Sequence, residues 1–170
     1  MTNNLIPILF CDVDGVFTSA RTGWRTFDTF AVQFINWVCK ETGAKIVITS
    51  TWRFKYNREF FQRILGDNIH EDWRTLDFKT DSKISEIARE VLGKKIVRGD
   101  EIAEYLARHQ EITKYLILDD DSDMLDWQKT SFRKTASVNG LLYSDMQWIC
   151  DYFNLPPYNA DANNKELQTR

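Results

Sequence analysis

Ile8-Leu9-Phe10-Cys11-Asp12-Val13-Asp14-Gly15-Val16 drives an apolar run straight into two carboxylates spaced two residues apart and closed by a glycine. An apolar stretch that reads as a buried strand does not end in Asp-x-Asp for packing reasons. Ionised carboxylates are costly to desolvate unless paired or bound to a cation. At the carboxyl end of a parallel strand the same pair has a chemical use. One carboxylate attacks phosphorus while a cation neutralises its charge, and the other handles the leaving group's proton. This reading predicts further polar groups at the ends of later strands, and the sequence supplies them.

Working outward, apolar strands alternate with amphipathic helices, the pattern of an α/β protein. Ile6–Cys11 reads as the first strand, and residues 16–29 are irregular and rich in Thr. Phe30–Val38 has helical periodicity, with Phe30, Phe34, Trp37 and Val38 on one side and Gly43 as the stop. Lys45–Ile48 is a short β-branched strand running into Thr49-Ser50-Thr51, which makes the first unit a parallel β-α-β crossover. A helix is predicted over Asn57–Leu65, stopped by Gly66, while 67–80 fits either a short strand near Ile69 or a loop. Ser82–Leu92 reads as a helix with Ile84, Ile87, Ala88 and Val91 on one face. Ile96-Val97 reads as a short strand and Asp100–His109 as another helix. Tyr115–Leu118 is an apolar strand that ends in Asp119-Asp120-Asp121-Ser122-Asp123. A last strand near Thr135–Val138 precedes a helix from about Ser144 to Phe153. Pro156-Pro157 ends the order, giving one domain over 1–155 and a polar tail over 156–170.

A chain of 170 residues fits a single core, and 43% hydrophobic with 28% charged residues is ordinary for a soluble protein. Cys11, Cys39 and Cys150 are odd in number and far apart. They argue for small buried residues in a reduced, cytoplasmic setting rather than a disulfide framework. No basic leader precedes Leu5–Phe10 and no segment approaches a membrane-spanning length, so no membrane partner is expected. A net charge of −3 offers nucleic acid no global attraction. Arg53, Lys55, Arg58 and Arg63 do form a local basic group, a pattern that on a helix face is usually solvated.

Three strand ends carry polar clusters: Asp12/Asp14, Thr49/Ser50 and Asp119/Asp120/Asp123. In an open parallel sheet all three lie on the carboxyl edge, where ligands bind in such folds. Mg2+ prefers oxygen ligands and keeps several waters, so two carboxylates and a main-chain carbonyl suffice. Asp12 and an acid of the Asp119/Asp120 pair supply the carboxylates, with the carbonyl of Asp14 between them. The cation keeps Asp12 ionised and lets a phosphate dianion approach. Asp14 then protonates the leaving oxygen and later takes a proton from water. Thr49 or Ser50 offers a hydroxyl to a phosphoryl oxygen, with Gly15 and Arg53 completing the substrate side. Arg98 is the first candidate for the fixed cation facing the transferring group.

These residues resemble a known family. Asp12-Val13-Asp14-Gly15-Val16, Ile48-Thr49-Ser50-Thr51-Trp52-Arg53 and Ile117-Leu118-Asp119-Asp120-Asp121 look like motifs one, two and four of the haloacid-dehalogenase-like (HAD) superfamily. The Ser-Thr-Trp-Arg and Leu-Asp-Asp forms look especially like the small HAD domains associated with RNA-repair assemblies. The resemblance covers roughly residues 5–155. It implies a Rossmann-like three-layer α/β/α sandwich with a mainly parallel sheet, magnesium dependence, and hydrolysis of a phosphate ester through an aspartyl-phosphate. By motif match Asp12 takes the nucleophile position, Asp14 the acid/base position and Thr49 the phosphate-binding position with Ser50 as neighbour. Asp119 and Asp120 take the metal positions. The third motif normally shows a Lys or Arg ahead of the fourth; Arg98 fits, and Lys83, Lys94 and Lys95 compete. About fourteen residues separate Gly15 from Phe30, too few for a cap domain, so the site is expected to be minimally capped or uncapped. An open site favours large substrates or an oligomeric partner that covers it. Trp24, Trp52 and Trp73 are candidates to stack on a base, against the commoner use of aromatic residues as core.

The reading is therefore a phosphomonoesterase whose substrate is a small molecule, a nucleotide or a nucleic-acid end. The alternatives are a phosphoacceptor switch and an inactive interaction domain. A switch of the receiver type places its acid pair and its acceptor on separate strands and lacks an acid two residues beyond the acceptor, so Asp14 discriminates. An EF-hand is excluded because its sixth and twelfth places hold Met124 and Thr130. His70 and His109 have no zinc-type spacing, Ala88 breaks a phosphate-binding loop ahead of Gly93-Lys94, and no Gly-x-Gly-x-x-Gly occurs. His109 reads as a helix-end surface residue.

Overall fold

Ile8, Leu9, Phe10 and Cys11 have no exposed surface, which a strand achieves only when both faces of its sheet are covered. In the computed structural model, which describes residues 6–160, this segment is β1 (Ile8–Cys11). It lies between β2 (Lys45–Ile48) and β4 (Tyr115–Asp119), with β3 (Ile69–Arg74) and β5 (Phe132–Lys134) on the outer edges. The order is β3-β2-β1-β4-β5 and every pairing is parallel. Cys11 stands level with Ile48 and Leu118, so β1, β2 and β4 end side by side.

Alternation along the strands divides the core. Leu9, Cys11, Ile46, Ile48, Leu116 and Leu118 face α1 (Thr29–Thr42), α2 (Arg58–Leu65) and α5 (Tyr143–Phe153). Ile8, Phe10, Val47 and Ile117 face Ile102 and Tyr105 of α4 (Arg98–Arg108). The result is a Rossmann-like three-layer α/β/α sandwich. Asp28 caps α1 by accepting from the amides of Phe30 and Ala31, and Gly43 stops that helix in the left-handed conformation that glycine adopts without strain. Cys11, Cys39 and Cys150 are buried and free. No helix among the described residues is long and apolar enough to cross a membrane.

Several elements differ from expectation. The first strand begins at Ile8 rather than Ile6, and 67–80 does contain a strand, the edge strand β3. Ile96-Val97 is not a strand: the Asp100 side chain accepts from the Val97 amide at 3.0 Å, which starts α4 at Arg98. The last strand is Phe132–Lys134, not Thr135–Val138. Pairing with Ile117–Asp119 fixes its register, and Ala136–Gly140 then closes a turn, leaving Val138 61% exposed. α3 (Ser82–Leu92) forms as predicted, but its apolar face is not core; Ala88 is its buried residue, and Val91 is 74% exposed. Tyr158, past the proline pair, packs on Phe34 and Trp37 at 5.2 and 5.0 Å between ring centroids. The packed body thus extends beyond residue 155; residues 161–170 of the expected tail, like Leu5 of the first apolar run, lie outside the described residues.

The outer edge of β3 is fastened to the end of α4. Tyr105 Oη donates to the Asp72 carbonyl at 2.6 Å, and its ring stacks on His109 at 4.4 Å. His109 bridges the Asp72 and Glu111 carboxylates at 2.9 and 2.8 Å. Burial pulls the His109 pKa down, but hydrogen bonds to Asp72 and Glu111 outweigh it and the net shift is upward. A histidine raised on folding stabilises fully below its unfolded value of about 6.5, and that contribution is lost as pH rises through the folded value. The stability advantage of the native chain over His109→Gln should therefore shrink as pH rises above about 6.5. Urea midpoints at several pH values check this; a gap that does not move with pH contradicts it.

Candidate active site

Because β1 and β4 are neighbours in register, the residues that follow their apolar cores meet. Asp119 closes β4 and is fully buried, Asp12 follows β1 and is 8% exposed, and Asp120 comes next in the chain. One oxygen from each of Asp12, Asp119 and Asp120 lies within 4.8 Å of the others. The turn after β1 is held by Val13, Val16 and Phe17, all buried, and by amides of residues 16–18 that donate to the Val13 carbonyl. Gly15 sits in that turn at φ +75°. A Cβ there would come within 2.5 Å of the Asp120 Cβ, so glycine is needed both for the backbone and for the approach of the third acid.

Arg98, the first residue of α4, reaches into the cluster, 3.8 Å from Asp12 and 3.7 Å from Asp119. Its guanidinium thus faces two of the three acids. Burial drives the Asp12 carboxyl upward, with Arg98 and hydrogen bonds from Ser50 and the Val13 amide opposing it. Burial, followed by the Asp12 charge, pushes Asp119 up to about 8. Asp119 Oδ2 is buried with no hydrogen-bond partner, as are Arg98 Nε and Nη1. Hard oxygen donors this close, one of them orphaned, fit a divalent cation of the magnesium type.

The Asp14 side chain is outside this trio. Thr18 Oγ1 donates to one of its oxygens at 2.6 Å and Trp52 Nε1 to the other at 2.9 Å, so its orientation is fixed from two sides. Of the two hydroxyls after β2, Ser50 is the one hydrogen-bonded to Asp12, while Thr49 Oγ1 is buried without a partner. Lys79 joins Asp123 at 2.6 Å and Asp121 at 3.5 Å, and Asp123 in turn accepts from the Arg98 amide at 3.2 Å. Thr18 and Lys79 were not singled out from sequence; a threonine and a lysine in irregular segments carry no distinguishing pattern.

Arg53, expected on the substrate side, is turned inward. It is 2% exposed and pairs with the fully buried Glu101 at 3.0 Å. The Nη2 of that pair also donates to the Leu76 carbonyl, and Nε and Nη1 donate to those of Thr75 and Thr49, so the guanidinium is bound to the scaffold on all three nitrogens. Glu101 also accepts from the amides of Phe78 and Lys79, both at 2.9 Å. The basic group expected over Arg53–Arg63 is therefore split, with Arg53 in the interior and Lys55 and Arg63 exposed. Among the competitors of Arg98, Lys83 and Lys95 are exposed and Lys94 pairs with Asp100 at 2.7 Å.

The family model described as the HAD domain in Swiss Army Knife RNA repair proteins matches residues 8–145, a span that contains every site residue named above. No curated protein and no solved structure matches the chain.

Two outcomes follow. A carboxyl raised on folding binds a proton that the unfolded chain releases, so in the absence of metal the contribution of Asp119 to stability is lost as pH rises from about 3.8 to about 8. In chelator, Asp119→Asn should gain on the native chain across that interval, and magnesium should stabilise the native chain but not the variant. Urea midpoints with and without metal read both; a pH-independent gap or equal magnesium effects contradict the arrangement. Arg53→Met, which strands Glu101 in the interior, should cost about 3–5 kcal/mol in denaturant unfolding. A loss below about 1 kcal/mol, the range of a surface pair, would show that the brace is dispensable.

Proposed function

The chain belongs to this HAD family, and on that premise we propose that it is a magnesium-dependent phosphomonoesterase acting through an aspartyl-phosphate. The observation that carries the reading is the convergence of Asp12, Asp119 and Asp120 around one point, with Asp14 held separately and Arg98 facing the acids. Its substrate is a nucleotide or a nucleic-acid end, the class in keeping with the RNA-repair description of the family.

Asp12 Oδ attacks phosphorus, the ester P–O bond breaks, and Asp14 gives its proton to the departing oxygen. Asp14 then accepts a proton from the water that attacks the aspartyl-phosphate, releasing inorganic phosphate and restoring the Asp12 carboxylate. Thr18 and Trp52 aim Asp14 through both of its oxygens. The Ser50 hydroxyl beside Asp12 and the Arg98 guanidinium are the donors for the phosphoryl oxygens. A magnesium ion held by Asp12, Asp119 and Asp120 would offset the charge brought together by nucleophile and phosphate. The separate placement of Asp14, outside the acid trio and next to an open cleft, favours an enzyme over a phosphoacceptor switch.

With an aryl phosphate and magnesium, Asp12→Asn should lose hydrolysis entirely while keeping the native circular dichroism spectrum. Asp14→Asn should lower turnover by about 10²–10⁴-fold, the contribution of a positioned acid–base group. Hydrolysis by Asp12→Asn at the native rate would remove the nucleophile assignment.

A further inference from the structure

Asp14 forms one wall of a cleft of about 470 Å³ whose other lining residues are Trp24, Trp52, Lys55 and Tyr56. That volume lies within the roughly 300–1,000 Å³ typical of small-molecule sites. Asp12, Arg98, Asp119 and Asp120 do not line it. The cleft therefore adjoins the proton donor rather than the phosphate position, which is where the leaving group of the ester must sit.

Its walls are largely aromatic. Trp52 stacks on Tyr56 at 5.2 Å, Tyr56 stacks on Phe60 at 4.0 Å, and the Trp52 indole is pinned by its hydrogen bond to Asp14. Trp24 is 40% exposed and held at φ +58°, a conformation that costs a bulky residue roughly 1–2 kcal/mol. Such strain is kept where surrounding structure enforces it, commonly at ligand sites. Lys55 forms no ion pair among the described residues. It and Tyr56 also line a second cleft of about 600 Å³, together with Phe54, Arg58, Trp73 and Arg74, where Glu59 and Glu71 are the opposing acids. Among the described residues Arg58 and Arg74 likewise have no carboxylate partner, donating instead to backbone carbonyls.

We propose that the Trp24/Trp52/Tyr56 cleft takes the base of the phosphorylated nucleotide at a single-stranded nucleic-acid end, with Lys55 on the next phosphate and the strand leaving through the second cleft. Stacking on aromatic faces is sequence-tolerant, and a basic side chain between two such surfaces tracks a backbone. This rests on the phosphomonoesterase reading, because it assigns the cleft to that ester's leaving group.

The test uses the Asp12→Asn protein in magnesium and single-stranded hexanucleotides that carry a terminal phosphate at the 3′ or 5′ end. The phosphorylated nucleotide is either intact or abasic, and affinities are read by fluorescence anisotropy. The intact end should bind about tenfold or more tighter than the abasic one, whichever end the site accepts. Trp24→Ala should erase that ratio and Trp24→Phe should retain it, each with a native thermal midpoint. Lys55→Ala should weaken the hexanucleotide but not a mononucleotide, and lower the salt slope by about one. Equal binding of intact and abasic ends, or an unchanged ratio in Trp24→Ala, overturns the base cleft. A mononucleotide that binds as tightly as the hexanucleotide overturns the strand path. Failure of the native protein to hydrolyse any phosphomonoester while the base ratio persists removes the phosphatase reading alone. Hydrolysis of an aryl phosphate without nucleotide binding removes the cleft alone.

Discussion

Three carboxylates share a few ångströms of largely buried space at the ends of two adjacent strands, and the Arg98 guanidinium faces two of them. With both faces of the sheet covered, β1 and the central residues Leu116, Ile117 and Leu118 of β4 are apolar, and the acids stand where those buried runs end. Burial opposes ionisation of Asp12 and Asp119, and each carboxylate raises the other's cost of charging. A proton held among the acids or a cation bound between them would relieve this. Gly15 completes the constraint, since any side chain there would drive Asp120 out of the group.

A second charge system runs beneath the first. Helix α4 sends Arg98 toward the acids and, one turn later, Glu101 toward Arg53. Arg53 ties the carbonyl of Thr49 at the end of β2 to those of Thr75 and Leu76, while Glu101 collects the amides of Phe78 and Lys79. This brace fixes the end of the second strand relative to α4, and so the hydroxyls relative to the guanidinium. A buried pair of this kind contributes less through net stability than through the cost of breaking it.

On the other side of the acids the site is open. The segment between Gly15 and α1 holds only the short helical turn Ala20–Thr22, too little to cover a substrate. What stands near Asp14 instead is a set of rings: Trp24 and a Trp52–Tyr56–Phe60 stack. Trp52 belongs to both regions, its indole N–H on Asp14 and its face in the cleft. The aim of Asp14 and the shape of the neighbouring surface therefore depend on one side chain.

Most strand and helix positions and the acids at strand ends were legible in the sequence because each is a local pattern. Apolar alternation, glycine stops and Asp-x-Asp declare themselves within a few residues. Lys45–Ile48 and Ser82–Leu92 appear in the structure with their expected bounds. Reading failed where a distant partner decides. Thr135–Val138 has strand composition, yet pairing with β4 ends the ladder earlier. The apolar face of α3 looks like core, yet of Ile84, Ile87, Ala88 and Val91 only Ala88 is buried, because periodicity says which side of a helix is apolar and not what lies opposite. Arg53 shows the limit most clearly. In sequence it stands beside two hydroxyls and looks like a phosphate ligand; in the fold it answers a glutamate 48 residues away. Likewise the indole that orients Asp14 comes from 38 residues further along the chain. The sequence thus determined which chemistry lies at the carboxyl edge, since that depends on residues adjacent to each strand. Only the tertiary structure decided which cation faces the acids and which is spent on the scaffold, because that depends on where helices and loops come to rest on the sheet.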